Sequence, residues 1–346
     1  MSENPASTPK IKTRILIISD THGFKPKPKL DSDPTTEDEL SQDDIRWAHT
    51  GFREPLPEAD VVLHCGDLTK QSKVSEFKNT FDMLRAIRAP LKLVIAGNHD
   101  LALDEPYWYR EWYGPKKTVD QVQEIIKAAE DDGVQYLTEG VHNFALDNGA
   151  LLKVFASPYT PIYGGWAFQY QNSHDFNIPS DVDVAMTHGP PRGILDLAGM
   201  PGSGTKAGCP DLLEAIYRAK PKIHCFGHIH EAWGSQLIRW KDGDDGPTRV
   251  QSVVSSEHSN QTTMADIMPD PFTQDEEALK AKTKGLIEMS QQRGAYIDLS
   301  EGPNRLAVGE QTLFVNAAIM NIRYRPVQLP WLVDVELERA EATCQA

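Results

Sequence analysis

The sequence predicts an α/β layered fold, and two features carry that prediction. Short apolar segments rich in β-branched residues recur along the chain, and helix-like stretches lie between several of them. This alternation is typical of sheets covered by helices. With 346 residues, 40% of them hydrophobic, the chain can bury a sizeable core. We therefore expect one globular domain over residues 1–346, with its core at about 12–338.

Seven segments are predicted to be buried strands because they are short, apolar and bounded by turn-forming residues. In chain order they are RILIISD, DVVLHCGD, LKLVIAGNHD, LLKVFASP, VDVAMTHGP, KIHCFGHIH and TLFVNAAIM. Three stretches are predicted to be helices: Ser75 to Arg88, Thr118 to Asp132 and Cys209 to Lys220. The last has Pro210 and Asp211 at its start, where proline and a negative charge favour a helix.

Two polar segments interrupt this pattern, at about 25–58 and 239–309. The first is rich in Asp, Glu and Pro, and the second contains DGDDGP and DEEALKAKTKG. Because such composition offers few apolar anchors, we interpret both as flexible surface insertions rather than independent folding units. The second is expected to be mobile and to be cut first in limited proteolysis.

Charge and cysteine content restrict the class of function. The formal net charge of −15 disfavours a nucleic-acid polymer as partner, because phosphate backbones are bound largely by basic surfaces. Four widely spaced cysteines without a CxxC pair argue against a disulfide framework or a thiolate zinc site. No run of 18 apolar residues and no apolar leader is found, so we expect a cytosolic location without a membrane partner, and a nuclear pool stays open.

Small polar motifs follow directly after five of the predicted strands. They are Asp20-Thr21-His22, Gly66-Asp67, Gly97-Asn98-His99-Asp100, His188-Gly189 and Gly227-His228-Ile229-His230. Ligand sites of α/β sheets assemble at the carboxyl ends of strands. Each motif alone has an ordinary explanation as a cap, a turn or a hydrogen-bonded histidine. Together, with glycines that clear space beside the polar residues, they predict a metal site.

The candidate ligands offer carboxylate and amide oxygens and imidazole nitrogens but no thiolate, a set that suits Mn, Fe, Zn or Co. Seven ligands are too many for one catalytic ion with an open position, whereas two ions that share a carboxylate account for all of them. His228 and His230 are two residues apart, so on a local strand they would face the same side. The seven are Asp20, His22, Asp67, Asn98, His188, His228 and His230.

The order of these motifs resembles that of the calcineurin-like metallophosphoesterase superfamily, from Ile15 to Val335 apart from the insertions. More narrowly, LHCGDLT, GNHDLALD, THGPPRGILD, HCFGHIHEAWG and FVNAAIM are similar to the brain-type metallophosphoesterase-domain proteins, which are related to class III cyclic nucleotide phosphodiesterases. The resemblance implies a four-layer sandwich of two mixed β-sheets flanked by helices, with the metals above the strand ends.

The resemblance also implies a role for each residue. One ion would be held by Asp20, His22 and His230, the other by Asn98, His188 and His228, and Asp67 would bridge them. His99 would bind the scissile phosphate or protonate the leaving oxygen, and Asp100 would orient it. The protein Ser/Thr phosphatases carry a Val-Asp-Arg-Gly run after Gly-Asp. Here Leu68-Thr69-Lys70-Gln71 follows, which disfavours a protein phosphatase.

The expected function is hydrolysis of small, cyclic-nucleotide-like phosphodiesters by a hydroxide that bridges two divalent transition-metal ions, Mn, Fe or Zn. Trp166 could stack on a nucleobase and Arg192 could bind phosphate, although packing and ordinary surface roles stay open for them. Two other functions also stay open: a phosphomonoesterase for a small metabolite, and a non-catalytic metal-binding scaffold.

Overall fold

The computed structural model describes residues 10–28, 51–199, 204–240, 260–267 and 275–340. The strands are β1 Lys10–Ile18, β2 Val61–His64, β3 Leu91–Val94, β4 Val134–Tyr136, β5 Gly140–Ala145, β6 Leu151–Ser157, β7 Thr160–Pro161, β8 Gln169–Tyr170, β9 Val184–Thr187, β10 Leu197–Ala198, β11 Thr205–Lys206, β12 Ile223–Phe226, β13 Gly234–Arg239, β14 Asn260–Thr263, β15 Ala295–Asp298, β16 Gln311–Asn316 and β17 Trp331–Glu338. The helices are α1 Val74–Ala86, α2 Glu105–Arg110, α3 Lys116–Glu130, α4 Pro210–Ala219, α5 Met264–Ile267 and α6 Glu276–Gln292.

Two mixed sheets form the centre of the molecule. Sheet 1 has the order β15-β17-β1-β2-β3-β4, and sheet 2 has the order β14-β13-β16-β12-β9-β6-β5. In sheet 1, β1 to β4 run parallel and β17 pairs antiparallel with β1. In sheet 2, β6, β9, β12 and β16 run parallel, while β5 and β13 pair antiparallel with their neighbours. Two short ladders, β7 with β8 and β10 with β11, lie outside them.

Alternation of side chains along the strands builds the layers. In β1, Ile15 and Ile17 point into the core between the sheets, whereas Leu16 and Ile18 pack with residues of α1 and α3. Helix α4 covers the other face of sheet 2 through an apolar cluster that includes Ile216. The order is therefore helices, sheet 1, sheet 2, helix, and the predicted four-layer sandwich is confirmed.

The strongest sequence patterns correspond to observed elements. Each of the seven predicted strands is present, and the three predicted helices appear as α1, α3 and α4 with ends shifted by one or two residues. Helix α4 begins as expected: the Cys209 sulfur accepts a hydrogen bond from the Leu212 N–H, and Pro210 and Asp211 occupy its first turn. It ends at Lys220, which adopts a left-handed conformation.

The interpretation of the second insertion as a flexible loop is wrong for residues 276–309. Helix α6 buries Leu286 and Ile287, and β15 adds to sheet 1 by parallel pairing with β17. The polar composition does not indicate this helix and strand, because α6 packs through only a narrow apolar stripe. Residues 241–259 and 268–274, and residues 29–50 of the first insertion, lie outside the described residues. Among the helices of the described ranges, none is long and apolar enough to cross a membrane.

The two sheets are joined at their carboxyl edges. An isolated bridge pairs Ser19, which follows β1, with Ala318, which follows β16, and the Ile319 N–H donates to the Ser19 carbonyl at 2.9 Å. Since parallel strands end at the same edge of a sheet, this link brings the polar motifs of both sheets to one place.

Candidate metal centre

The first predicted ion group is assembled at the joined edge. The potential ligand atoms of Asp20, His22 and His230 lie within 4.8 Å of one another, and the three residues are buried. His230 Nε2 is 3.2 Å from Asp20 Oδ1 and 3.3 Å from His22 Nε2. Three donors converging from two sheets form a site of the size of one ion.

The second predicted group lies beside the first. His188 Nε2 is 3.0 Å from Asn98 Oδ1, and the rings of His188 and His228 are 5.0 Å apart. The structure thus brings Asn98 and the two histidines together, as the resemblance implied.

Asp67 lies between the two groups. Its Oδ1 is 3.4 Å from His188 Nε2, and its Oδ2 is 3.7 Å from His22 Nε2. Each carboxylate oxygen therefore faces one group, which is the placement that a bridging ligand needs. The ligand roles of the seven residues remain a prediction, and their proximity is the structural observation that supports it.

Several predicted ligands occupy a strained backbone conformation. The φ angles of Asp20, His22, Asp67 and His228 are 54°, 47°, 53° and 66°. Positive φ is uncommon for residues other than glycine, costs of order 1–3 kcal/mol, and clusters at functional sites. The surrounding fold holds four side chains in place at this cost.

The expected strand geometry of His228 and His230 is wrong. Strand β12 ends at Phe226, so neither histidine lies on it. Instead, the positive φ of His228 turns the chain, and His230 begins a short 3₁₀ helix. This turn, and not a position two residues apart on a strand, directs His228 to the group with Asn98 and His230 to the group with Asp20.

Glycines at two motifs make room for the carboxylates. A Cβ atom at Gly227 would overlap Asp20 Oδ2, and one at Gly97 would overlap Asp67 Oδ1. The glycines therefore fit their predicted purpose, since any side chain at either position would displace a candidate ligand.

Backbone carbonyls fix the orientation of three candidate imidazoles. A carbonyl only accepts hydrogen bonds, so the ring nitrogen facing it carries a proton, and in the neutral ring the other nitrogen keeps its lone pair for a metal ion. In each of the three rings Nδ1 donates in this way: His22 to Thr69 at 2.9 Å, His188 to Cys65 at 2.9 Å, and His230 to Asn321 at 3.2 Å. Each therefore presents Nε2 to the site as a potential metal ligand.

Two buried carboxylates give the site a negative charge. Asp20 and Asp67 are almost fully buried, and neither has a lysine or arginine partner among the described residues. Burial raises the pKa of both carboxyls, but the neighbouring histidines outweigh it and hold the pKa below its usual range. Burial also lowers the pKa of His22 to about 4, which keeps the ring unprotonated. Two buried carboxylates beside imidazole nitrogens fit divalent metal ions.

His99 lies at the site without joining either ligand group. Its Nδ1 is 2.8 Å from the Lys70 carbonyl, and its backbone N–H donates to Asp67 Oδ1 at 2.8 Å. The ring centroid is 5.0 Å from that of His22 and 4.0 Å from that of Trp166. His99 also lines the cavity beside the candidate ligands, so it can reach a substrate there.

The expectation that Asp100 orients His99 is wrong. The Asp100 carboxylate is fully buried and accepts hydrogen bonds from the N–H groups of Leu68, Thr69 and Gly97 and from the Thr69 hydroxyl. Burial raises the pKa of Asp100 to about 7, and the Asp67 charge adds to the shift. Asp100 thus joins the loops that carry Asp67 and Asn98, and it does not reach the cavity.

The cavity next to the candidate ligands has a volume of about 710 Å³. Trp166 lies on its wall, as a substrate-binding role requires, and so does Tyr163. Tyr159 and Phe168 instead pack against the apolar cluster that sheet 1 forms with α1 and α3. The walls are largely apolar and include Pro161, Ile162, Ala198 and Ile322.

The structure does not place Arg192 at the cavity, where it could bind a phosphate group. Arg192 is exposed and is not among the residues lining the cavity. The reason lies in the turn before it: Pro191 forms a bridge with Cys209, and the Arg192 N–H donates to the Cys209 carbonyl, so the chain is held toward the start of α4.

Sequence reasoning missed two residues on the cavity wall, Tyr324 and Glu231. The Tyr324 ring lies 4.9 Å from the His22 ring and 5.2 Å from the His230 ring, and the Lys70 ammonium lies 4.5 Å from its centroid. The local sequence does not predict that Tyr324 lies at the cavity, because it lies eight residues beyond the end of β16 in a turn closed by Asn321. Glu231 directly follows the candidate ligand His230, which is the one clue that the sequence offers.

The fold and the site together define a protein of the metallophosphoesterase class: a four-layer α/β sandwich with Asp, Asn and His donors at the carboxyl edge of both sheets. The sequence matches the calcineurin-like phosphoesterase family over residues 13–232, and the chain belongs to that family. This membership implies divalent metal ions, and the grouped Asp and His side chains are their candidate ligands.

Several known proteins are similar to this chain. The human metallophosphoesterase domain-containing protein 1 is 32% identical over 193 residues, which are 52% of this chain and 56% of that protein. A probable rhamnogalacturonate lyase C of Emericella nidulans is 31% identical over 232 residues, 66% of this chain but 18% of that protein. The structure of a purple acid phosphatase from yellow lupin (Lupinus luteus) seeds is 12% identical, with a TM-score of 0.38, over 89% of this chain and 44% of that one. The chain thus spans between a fifth and about half of the length of these relatives.

Proposed function

We propose that the protein is a dinuclear metal-dependent phosphodiesterase that hydrolyses small phosphodiesters, including cyclic nucleotides. Family membership supports hydrolysis of phosphate esters. Two bound ions would supply a water of lowered pKa and a positive field for the charge that grows on the phosphoryl oxygens. Asp67 would share its charge between the ions, and the oriented Nε2 atoms of His22, His188 and His230 would fix their positions.

His99 supplies the proton in this proposal. The Lys70 carbonyl holds its Nδ1 proton, which directs Nε2 away from the loop. In the imidazolium form, His99 carries a second proton on Nε2; this proton would pass to the leaving ester oxygen as the phosphorus–oxygen bond breaks, leaving a neutral ring whose Nδ1–H stays bonded to the Lys70 carbonyl. General acid assistance of this kind contributes about 10²- to 10⁴-fold and is needed most for a poor leaving group such as a ribose oxygen.

The cavity wall is the single observation that favours a diester over a monoester. Among the described residues that line the cavity there is no lysine or arginine. A monoester carries one more negative charge than a diester and commonly needs additional cationic donors. A diester needs room for a second ester arm, and apolar and aromatic walls around about 710 Å³ provide that room.

We expect the manganese-loaded protein to cleave bis(p-nitrophenyl) phosphate and 2′,3′- or 3′,5′-cyclic nucleotides with a higher kcat/KM than the corresponding monoesters. The difference should reach at least about tenfold, equivalent to about 1.4 kcal/mol in transition-state binding. Both substrate classes are to be measured on one preparation, with Asp67→Asn protein as the control for contaminating phosphatases. A clear preference for monoesters would replace this proposal with a small-metabolite phosphatase.

A further inference from the structure

Glu231 provides a negative charge on the cavity wall. It follows the candidate ligand His230, lies in the same 3₁₀ turn, and its side chain is exposed to the cavity. Its Oε1 accepts a hydrogen bond from the Gly199 N–H at 3.0 Å, which fixes the direction of the carboxylate. Within the described ranges it forms no ion pair with a lysine or arginine. A ligand can therefore reach this charge without displacing a partner.

Aromatic rings surround the same space. Tyr163 is 82% exposed, and Trp166 and Tyr324 also line the cavity. The faces of such rings attract cations, with aromatic cages for quaternary ammonium groups as the best-known case. Tyr324 already makes a contact of this kind within the protein, because the Lys70 ammonium lies 4.5 Å from its ring centroid. We call Tyr163, Trp166, Glu231 and Tyr324 the arm wall.

The electrostatic setting of the arm wall favours positive charge. The described residues that line the cavity include no lysine or arginine, although the Lys70 ammonium contacts the Tyr324 ring, and the whole chain has a formal net charge of −15. Two divalent ions would carry four positive charges; Asp20 and Asp67 would balance two of them, and the hydroxide and the phosphodiester the other two, whereas no lysine or arginine among the described cavity residues balances Glu231. A substrate arm that leaves the metal centre along this wall therefore meets a carboxylate and aromatic side chains, one of which, Tyr324, already contacts Lys70.

We propose that the arm wall selects phosphodiesters whose second ester arm carries an ammonium group, as in diesters of amino alcohols, and that Glu231 is the residue that determines this specificity. The inference rests on the proposed phosphodiesterase activity and narrows it. An ammonium group would pair with the Glu231 carboxylate and pack on the rings, while the phosphate diester binds at the metal centre. A neutral nucleobase could stack on the same rings but would leave Glu231 without a counter-charge.

The test uses two esters that differ only in charge: p-nitrophenyl phosphocholine and its carbon isostere, p-nitrophenyl 3,3-dimethylbutyl phosphate. They share the leaving group and the shape of the arm, so their kcat/KM ratio reports the contribution of the positive charge alone. We expect metal-loaded wild-type protein to prefer the choline ester by about tenfold, which is the size of a cation–π contact combined with an exposed ion pair.

In Glu231→Gln protein this ratio should fall close to one, chiefly through a higher KM for the choline ester. The matched control is Glu124→Gln, which removes the same charge from an exposed position on α3 that does not line the cavity, and which should keep the tenfold ratio. Metal content is measured in both variants, since Glu231 adjoins a candidate ligand.

The outcomes separate this inference from the activity on which it rests. If both esters are cleaved equally, or if Glu231→Gln keeps the wild-type ratio, the inference is wrong and the phosphodiesterase proposal stands. If a cyclic nucleotide is cleaved with a higher kcat/KM than the choline ester, the arm wall binds a base rather than a cation. If no diester is cleaved, the proposed function fails, and calorimetric titration of the metal-loaded protein with choline decides the inference. Binding that Glu231→Gln weakens about tenfold supports it, and absence of binding overturns it.

Discussion

Replacing Asp67 with Asn is expected to remove both proposed metal ions together and to reduce the proposed phosphodiesterase activity by at least about a hundredfold. Even residues that only hydrogen-bond to metal ligands change metal affinity or activity by about 10- to 100-fold, and Asp67 would be a ligand itself. Asp67 is buried, and each of its carboxylate oxygens faces one of the two ligand groups. Asn keeps the size of the side chain and can still accept the His99 N–H, so the loop should stay in place. What it loses is the negative charge that two cations would share.

Thermal unfolding distinguishes this loss of charge from loss of the fold. In metal-free protein, Asp67→Asn should unfold cooperatively at a Tm close to that of the wild type, because Asn keeps the size of the side chain and can still accept the His99 N–H. Added manganese should raise the Tm of the wild type through preferential binding to the folded state but should leave the variant unchanged. A variant that keeps both ions and most of its activity would show that Asp67 is not the bridging ligand.

Replacing His99 with Ala is expected to leave the metal content intact and to slow hydrolysis by about 10²- to 10⁴-fold for esters with poor leaving groups. The His99 side chain bonds to the Lys70 carbonyl and lies outside both ligand groups, and its backbone N–H to Asp67 survives the substitution. Esters of p-nitrophenol should be affected much less, because p-nitrophenolate leaves without a proton.

The control for this variant is His142→Ala, a histidine on β5 that bonds to the Thr138 carbonyl and does not line the cavity. It should keep wild-type rates for every ester. Loss of metal from His99→Ala would identify His99 as a ligand. A uniform loss of rate across good and poor leaving groups would assign it to phosphate binding rather than to proton transfer.

The sequence contains most of the fold because the central strands are strongly patterned. The parallel strands of both sheets are buried on both faces, so they read as uninterrupted apolar runs, and α1, α3 and α4 separate them. The outer strands were harder to predict. Strand β15 has the burial of an edge strand, and α6 packs through few apolar residues, so neither stands out from its polar surroundings.

The candidate ligands could be predicted because each belongs to a short motif that carries its own glycine or turn and follows a strand. Their relative positions could be inferred only from the rule that parallel strands end at the same edge. The positions of Tyr324 and Glu231 could not be predicted in this way. Both residues lie at the cavity because turns that are distant in the sequence pack around the site. Arg192 was misplaced for the same reason, since its direction depends on the contact of Pro191 with Cys209.

The central claim, that the site holds two metal ions, is tested most directly by the metal content of the purified chain. The protein is stripped with a chelator, reconstituted with manganese, freed of unbound metal and examined by elemental analysis against protein concentration. Seven converging donors with Asp67 between two groups predict close to two ions per chain. A stoichiometry of one or none, in protein that is folded by circular dichroism, would contradict the dinuclear account.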